Sequence, residues 1–94
     1  MGSISITLSN LPDIGRDMFA YELESEKCLY DILRDWCEKS APGFEKRLFD
    51  PVTGGIGATM LVLQNGRSVK SEDPRETMIS PGDALSILPI LIGG

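Results

Sequence analysis

The chain has 94 residues, 41% of them apolar, which allows one domain with a single modest core. Its net charge of −5 at pH 7 argues against binding to a nucleic-acid backbone, and no apolar run approaches the roughly 20 residues that cross a bilayer. The sequence contains no histidine, so it lacks the usual general base and the commonest metal ligand, and we expect neither an enzyme nor a metal site.

Two segments near the N-terminus alternate apolar and polar residues and predict a β-hairpin. The first covers residues 3–8, whose isoleucine and leucine side chains share one face. The second covers residues 18–23 and has the same alternation. Residues 10–15 between them carry proline, glycine and aspartate, which is typical of a turn.

An amphipathic helix is predicted after the hairpin. Ser25 is a suitable N-cap, with Glu26 in the first turn, and the Pro42-Gly43 pair ends the helix. Four apolar residues fall at positions i, i+3, i+4 and i+7 and form one stripe: Leu29, Ile32, Leu33 and Trp36. We expect this stripe to cover one face of a sheet rather than to form a groove for a partner.

The two cysteines, Cys28 and Cys37, are predicted to be structural thiols of a cytoplasmic protein. If both lie on this helix, their separation in the sequence places them on opposite faces and about 13 Å apart along the axis. That distance excludes a disulfide between them, and two cysteines are too few for an iron–sulfur cluster. The N-terminus lacks the basic and apolar regions of a signal peptide, which also favours the cytoplasm.

The middle of the chain is the least regular part of the sequence. Residues 44–49 fit a short helix and a short strand equally well. Residues 50–58 contain Pro51 and three glycines, which predicts a loop. The glycines lack the following lysine and hydroxyl residue of a phosphate-binding loop. We therefore interpret residues 50–58 as a mobile surface loop.

Three more strands are predicted in the second half. Residues 59–64 form one, and Asn65-Gly66 is a strong two-residue turn signal that leads into a short return over residues 67–69. A turn over residues 77–83 precedes the last strand at residues 84–89. The long excursion through the helix allows the last strand to pair in parallel with the first. This order predicts an α+β, β-grasp (ubiquitin-like) domain over residues 1–88, with about four to five strands, and a tail at residues 89–94.

The last third of the chain carries a composite closing pattern. A Gly-Asp turn precedes a hydrophobic strand, a proline, a few apolar residues and two final glycines: Gly82, Asp83, Leu85, Ile87, Pro89, Gly93 and Gly94. This pattern resembles the ending of the ThiS/MoaD family of small sulfur-carrier proteins of thiamine and molybdopterin synthesis. The longer segment between the helix and the third strand favours the molybdopterin-synthase small-subunit type within that family.

The resemblance implies a mechanism that uses the tail as a chemical handle. An ATP-dependent enzyme related to ubiquitin activators would adenylate the carboxylate of Gly94. A sulfur donor would then displace AMP and leave a terminal thiocarboxylate. That group would pass its sulfur to an intermediate inside a synthase, such as a molybdopterin-synthase large subunit or a thiazole synthase. The chain itself would bind no cofactor and supply no catalytic residue.

The tail residues suit this use. Gly93 and Gly94 are slim enough to thread a narrow tunnel, and Pro89 limits the freedom of the chain where it leaves the sheet. Ile90, Leu91 and Ile92 offer apolar contacts to a partner, with a packed extension of the strand as the alternative.

A second contact area is predicted on the sheet. Leu61 and Leu63 point opposite to their neighbours Met60 and Val62. With Leu88, they would form an apolar docking patch on the face that the helix leaves open. Cover by residues 50–58 is the alternative.

Two other functions remain compatible with the sequence. A ubiquitin-like modifier would join the same adenylated tail to lysine side chains of other proteins. A non-catalytic β-grasp interaction module would not use the tail at all. The pathway of a sulfur carrier also stays open among thiamine, molybdopterin, cysteine and specialised sulfur metabolites.

Overall fold

A five-stranded mixed sheet and one long helix build the fold in the computed structural model, which describes residues 2–11, 15–69 and 73–90. In chain order the elements are β1 (Gly2–Leu11), β2 (Gly15–Leu23), β3 (Lys27–Cys28), α1 (Leu29–Ser40), α2 (Glu45–Leu48), β4 (Met60–Gln64), β5 (Arg67–Ser68), β6 (Met78–Ile79) and β7 (Ala84–Pro89). The strands of the main sheet lie in the order β2-β1-β7-β4-β5, and β3 and β6 form a separate small sheet.

Strand pairing follows the predicted β-grasp pattern. β1 and β2 form the antiparallel hairpin, and β7 pairs in parallel with β1, with Leu8 opposite Ile87. On its other side, β7 pairs antiparallel with β4, with Val62 opposite Ile87. The tight turn between β4 and β5 uses Asn65 at φ 52° and Gly66 at φ 85°, as expected for an Asn-Gly hairpin. The predicted fold class is confirmed.

The core lies between the sheet and α1. The helix contributes the predicted stripe, and the sheet contributes alternate residues of β1, β4 and β7, all of them buried: Leu29, Ile32, Leu33, Trp36, Ile4, Ile6, Leu8, Met60, Val62, Leu85 and Ile87. Trp36 packs edge-on against Phe19 and Phe44, at ring-centroid distances of 5.3 Å and 6.0 Å. The prediction that the stripe is core is therefore confirmed.

The start of the helix differs from the prediction. Ser25 is not the N-cap, because α1 begins at Leu29 and Cys28 takes the cap position without a side-chain hydrogen bond. The N–H of Leu29 donates instead to the carbonyl oxygen of Thr77 at 2.8 Å, and that of Tyr30 to Pro74 at 3.0 Å. The backbone of a distant segment thus satisfies the helix end. The predicted turn over residues 77–83 accordingly contains strand β6, which pairs with β3.

Residues 44–58 form a compact, hydrogen-bonded connection. The ambiguous segment is the short helix α2, and Phe49 forms an isolated bridge with Ile56. Asp50 exchanges backbone hydrogen bonds with this loop, donating to Gly55 and accepting from Gly54 at 2.8 Å each. Ile56 and Gly57 are buried. The interpretation as a mobile surface loop is therefore wrong for Ile56 and Gly57, because both residues are buried and the N–H of Gly57 donates to the carbonyl oxygen of Leu48.

The cysteines lie on different elements and are both free thiols. Cys28 is half-buried in β3, whereas Cys37 is fully buried in α1. Burial, with a smaller contribution from the charge of Glu45, raises the pKa of Cys37 to about 12, so this thiol stays protonated at neutral pH. No helix within the described residues has the length and apolarity needed to span a membrane.

Candidate functional site

The last described residues leave the sheet beside the start of β4. Pro89 pairs with Met60, and the N–H of Ile90 donates to the carbonyl oxygen of Thr59 at 2.8 Å. Sheet-like pairing therefore continues to Ile90. The remaining predicted tail residues, Leu91, Ile92, Gly93 and Gly94, lie outside the described residues.

The three leucines predicted to dock a partner lie together on the open face of the sheet. Leu61 is directly opposite Leu88, and Leu63 is opposite Ser86. All three leucines are half-buried, whereas Met60, Val62 and Ile87 on the other face are buried beneath the helix. We name Leu61, Leu63 and Leu88 the open-face patch.

Two observations bear on what covers this patch. Residues 50–58 approach α2, since the N–H of Gly57 donates to the carbonyl oxygen of Leu48 at 2.7 Å. A Cβ built on Gly57 would lie 3.0 Å from the carbonyl oxygen of Arg47, so the contact with α2 is close. These contacts place the loop against α2 and favour a patch that the loop does not cover.

A groove of about 440 Å³ surrounds the point where the chain leaves the sheet. Its lining includes Pro89, Ile90 and Thr59, together with Lys46, Arg47 and Phe49 from α2 and its C-terminal flank. We name it the exit groove. The predicted contact residues therefore lie in two places. The three leucines lie on the open face of the sheet, and Pro89 and Ile90 line the exit groove.

Lys46, Arg47 and Phe49 are not among the site residues predicted from the sequence. Their segment fits a helix and a strand equally well, so the pattern does not indicate which side chains share a face. Only the tertiary pairing of β4 with β7 brings α2 beside the chain exit. The Phe-Glu-Lys-Arg-Leu-Phe sequence of residues 44–49 gives no signal of that neighbour.

The Gly-Asp turn of the closing pattern has a structural role. Gly82 adopts φ +96°, a left-handed conformation that favours glycine. The carboxylate of Asp83 accepts hydrogen bonds from the Ser80 N–H at 2.9 Å, from Gln64 Nε2 at 3.0 Å and from Asn65 Nδ2 at 3.1 Å. These bonds, led by the one from Ser80, lower the pKa of Asp83. The turn thereby connects the β4–β5 hairpin to the start of β7, whose other end forms the chain exit.

Replacing this carboxylate is expected to destabilise the fold. For Asp83→Ala we expect the free energy of unfolding at pH 7 to fall by about 1–2 kcal/mol, because three donors lose a charged acceptor at a partly exposed site. Urea titration followed by the fluorescence of Trp36 measures this difference. Asp17→Ala is the control, since its carboxylate accepts only the exposed hydrogen bond from the Met18 N–H among the described residues, and we expect a change within about 0.5 kcal/mol.

The stability that the Asp83 carboxylate contributes depends on pH with a defined sign. The folded-state pKa of Asp83 lies below its ordinary value of 3.8, so its contribution is complete above that value. The contribution is lost as the pH falls from the ordinary value through the folded-state pKa. The stability difference between the parent chain and Asp83→Ala should therefore shrink in acid, and a difference that grows there would contradict the assignment.

The fold and the chain exit can be compared with known proteins. No family model matches the chain. It is 30% identical over 81 residues to small archaeal modifier protein 3 of Haloferax volcanii, a match that covers 86% of this chain and 85% of that protein. The crystal structure of small archaeal modifier protein 1 from the same organism superposes with a TM-score of 0.74 at 23% identity, covering 99% of this chain and all of that one.

A third comparison involves an assembly. The BexX/CysO complex of Amycolatopsis orientalis contains a chain that superposes with a TM-score of 0.66 at 22% identity, covering 95% of this chain and 99% of that one. At this identity the similarity establishes the β-grasp fold, as does that to small archaeal modifier protein 1. The sequence match to small archaeal modifier protein 3, which covers most of both chains, also establishes the family. The chain belongs to the family of ubiquitin-like small archaeal modifier proteins.

Proposed function

We propose that this chain is a sulfur carrier whose terminal Gly94 is adenylated and then converted to a thiocarboxylate. The observation that carries the proposal is the Gly93-Gly94 ending only four residues beyond Ile90, the last described residue hydrogen-bonded to the sheet. Four residues span at most about 14 Å when extended. That reach allows the carboxylate to enter a partner's active site while the domain remains outside.

The chemistry requires little of the carrier itself. A carboxylate is a poor electrophile because of its negative charge. Attack of a Gly94 oxygen on the α-phosphorus of ATP expels pyrophosphate and gives an acyl-adenylate, whose AMP is a good leaving group. Hydrosulfide from a sulfur donor then displaces AMP and leaves the thiocarboxylate. ATP would be bound by the activating enzyme, and this chain would present one carbonyl carbon.

Recognition would use the open-face patch together with the chain exit. Leu61, Leu63 and Leu88 present apolar area beside a strand end that leads directly to the tail. The partners that we propose are a ubiquitin-activator-like adenylating enzyme, a sulfur donor and a synthase subunit. The fold similarity to a chain of the BexX/CysO complex supports a role in complexes with other proteins.

Within sulfur metabolism we favour the molybdopterin-synthase small-subunit type, with a large synthase subunit as the acceptor. The support is the long segment between α1 and β4, which includes α2 and the loop that packs on it. A thiazole synthase of thiamine synthesis is the other acceptor compatible with the closing pattern.

Protein modification is the second candidate function, and the relative named as a modifier protein favours it. The first step would be the same acyl-adenylate. A lysine amine of a target protein would then attack the carbonyl carbon and form an isopeptide bond. Immunoblots of cells that produce a tagged chain would reveal this function as a ladder of adducts that Gly94 deletion removes.

Intact-mass measurement tests the carrier proposal. The chain is incubated with the adenylating enzyme of its own organism, ATP and sulfide. We expect its mass to rise by about 16 Da, the difference between sulfur and oxygen, because one carboxylate oxygen is replaced. An unchanged mass, together with no ATP–pyrophosphate exchange, would contradict both functions that use the tail and would leave the interaction module.

A further inference from the structure

Four of the nine basic residues of this acidic chain lie on one surface. Beside the exit groove lies a second groove of about 480 Å³. Tyr30, Arg34 and Glu45 line this groove alone, and Lys46, Phe49 and Pro51 line both grooves. Arg75 reaches the same area, with its guanidinium carbon 4.4 Å from the centre of the Tyr30 ring. We name the following residues the basic surface: Tyr30, Arg34, Lys46, Arg47, Phe49 and Arg75.

The charge balance of this surface opposes that of the molecule. It contains four of the nine basic residues of a chain that has fourteen acidic ones. The two grooves include two carboxylates, those of Glu45 and Asp50. Asp50 is engaged locally, because its Oδ1 accepts hydrogen bonds from the N–H groups of Val52 at 2.7 Å and Thr53 at 3.4 Å. A positive area therefore stands out on a negative protein.

Three of these cations are not neutralised within the described part of the chain. The ion pair there joins Lys39 to Asp35 at 3.2 Å, away from the basic surface. Arg34 and Arg75 lie over the Tyr30 ring, and Lys46 is exposed on α2. Cations held on an aromatic ring keep their N–H donors available to an incoming carboxylate.

The surface also offers apolar contact area. Tyr30 and Phe49 pack against each other at a centroid distance of 5.0 Å, and both are half-buried. Pro51 lines both grooves, and the neighbouring Val52 is 90% exposed. Aromatic rings combined with arginines are the residues enriched at protein interfaces.

We propose that the basic surface docks an acidic, partly apolar segment of the adenylating enzyme that loads Gly94, an inference that rests on the proposed function. A partner that takes the chain from Ile90 onward must approach the exit groove, which shares Lys46, Arg47 and Phe49 with this surface. An acidic segment is attracted here and repelled by the rest of the chain, which fixes the orientation of the encounter. A polyanionic nucleic acid would extend beyond the surface onto the negative remainder, which disfavours it.

Charge reversal at Lys46 tests the surface. The assay measures the dissociation constant between the adenylating enzyme and the Gly94-deleted chain without ATP, so that binding is not followed by adenylation. We expect Lys46→Glu to raise that constant about tenfold, since an attraction becomes a repulsion at a partly desolvated contact. Added salt should weaken binding of the parent chain more than that of the variant.

Arg67→Glu is the matched control. It makes the same change in net charge at an exposed residue of β5, beyond the opposite end of β4 from the exit groove. We expect less than a twofold change. Equal effects of the two substitutions would overturn the proposal, because binding would then depend on net charge alone. Unchanged binding of both variants would also overturn it.

Amide chemical shifts locate the contact and separate the other outcomes. On addition of the enzyme we expect perturbations at residues 45–51 and around Arg34. If a decathymidylate probe shifts these residues and the enzyme does not, the surface is a nucleic-acid site and the proposal is wrong. If the enzyme binds here but no ATP–pyrophosphate exchange occurs with the intact chain, the docking surface is supported and the proposed function fails.

Discussion

Deleting Gly94 alone is expected to reduce loading of the chain by at least about 100-fold without changing its stability. The deletion draws the carboxylate back by up to about 3.6 Å, the length of one extended residue. Displacement of a reacting group by about 1 Å already costs as much as 100-fold in rate. The measurement is ATP–pyrophosphate exchange with the adenylating enzyme, at a fixed concentration of parent or deleted chain.

Folding provides the first control for this deletion. The last described residue hydrogen-bonded to the sheet is Ile90, so we expect the free energy of unfolding to stay within about 0.5 kcal/mol of the parent value. Gly94→Ala is the second control, because it keeps the length and the carboxylate but adds a Cβ. If Gly94→Ala loses less exchange activity than the deleted chain but more than the parent chain, the added Cβ indicates a narrow passage in the enzyme. Normal exchange by the deleted chain would contradict the assignment of Gly94.

The second large effect concerns two neighbours on β7 that face opposite sides. For Ile87→Ala we expect a loss of about 2–5 kcal/mol, since the side chain is 0% exposed and lies between Leu8 and Val62 on the flanking strands. A domain of this size has a total stability of about 5–15 kcal/mol, so much of the stability depends on this residue. For the half-buried Leu88 we expect Leu88→Ala to cost about 1 kcal/mol or less.

Binding to the adenylating enzyme should be affected more by Leu88→Ala than by Ile87→Ala. Leu88→Ala removes part of the open-face patch, so we expect weaker binding to the adenylating enzyme by a fewfold to tenfold. Ile87→Ala should bind normally under conditions where it remains folded. Urea unfolding monitored by Trp36 fluorescence and titration with the enzyme provide the two measurements. If Leu88→Ala destabilises as strongly as Ile87→Ala, Leu88 belongs to the core and the patch is misassigned.

Much of the fold was predictable because local patterns and tertiary packing agree. Alternation identified the strands of the first hairpin, the spacing of Leu29 to Trp36 identified the helix face, and Asn65-Gly66 identified the second hairpin. The helix start was not predictable. Ser25 has a good capping side chain, but the N–H of Leu29 finds its acceptor at Thr77, and a contact so distant in sequence leaves no periodic signal.

One part of the candidate site was likewise predictable from the sequence and another part was not. The open-face patch follows from alternation along β4 and β7, and the structure places its three leucines together. The basic surface and the exit groove beside it do not follow from any pattern, because α1, α2, residue 75 and the end of β7 come from separate parts of the chain. Their proximity depends on the pairing of β7 with β4 and on the close packing of Gly57 on α2.

The position of β7 in the middle of the sheet has a consequence for biosynthesis. During translation, the β1–β2 hairpin and the β4–β5 hairpin both emerge before the strand that must be inserted between them. Chains truncated before β7 therefore consist of two unjoined half-sheets with exposed apolar faces, which are targets for proteolysis. Because the terminal glycines follow β7 in the sequence, a chain that carries them has already received the strand that joins the two half-sheets.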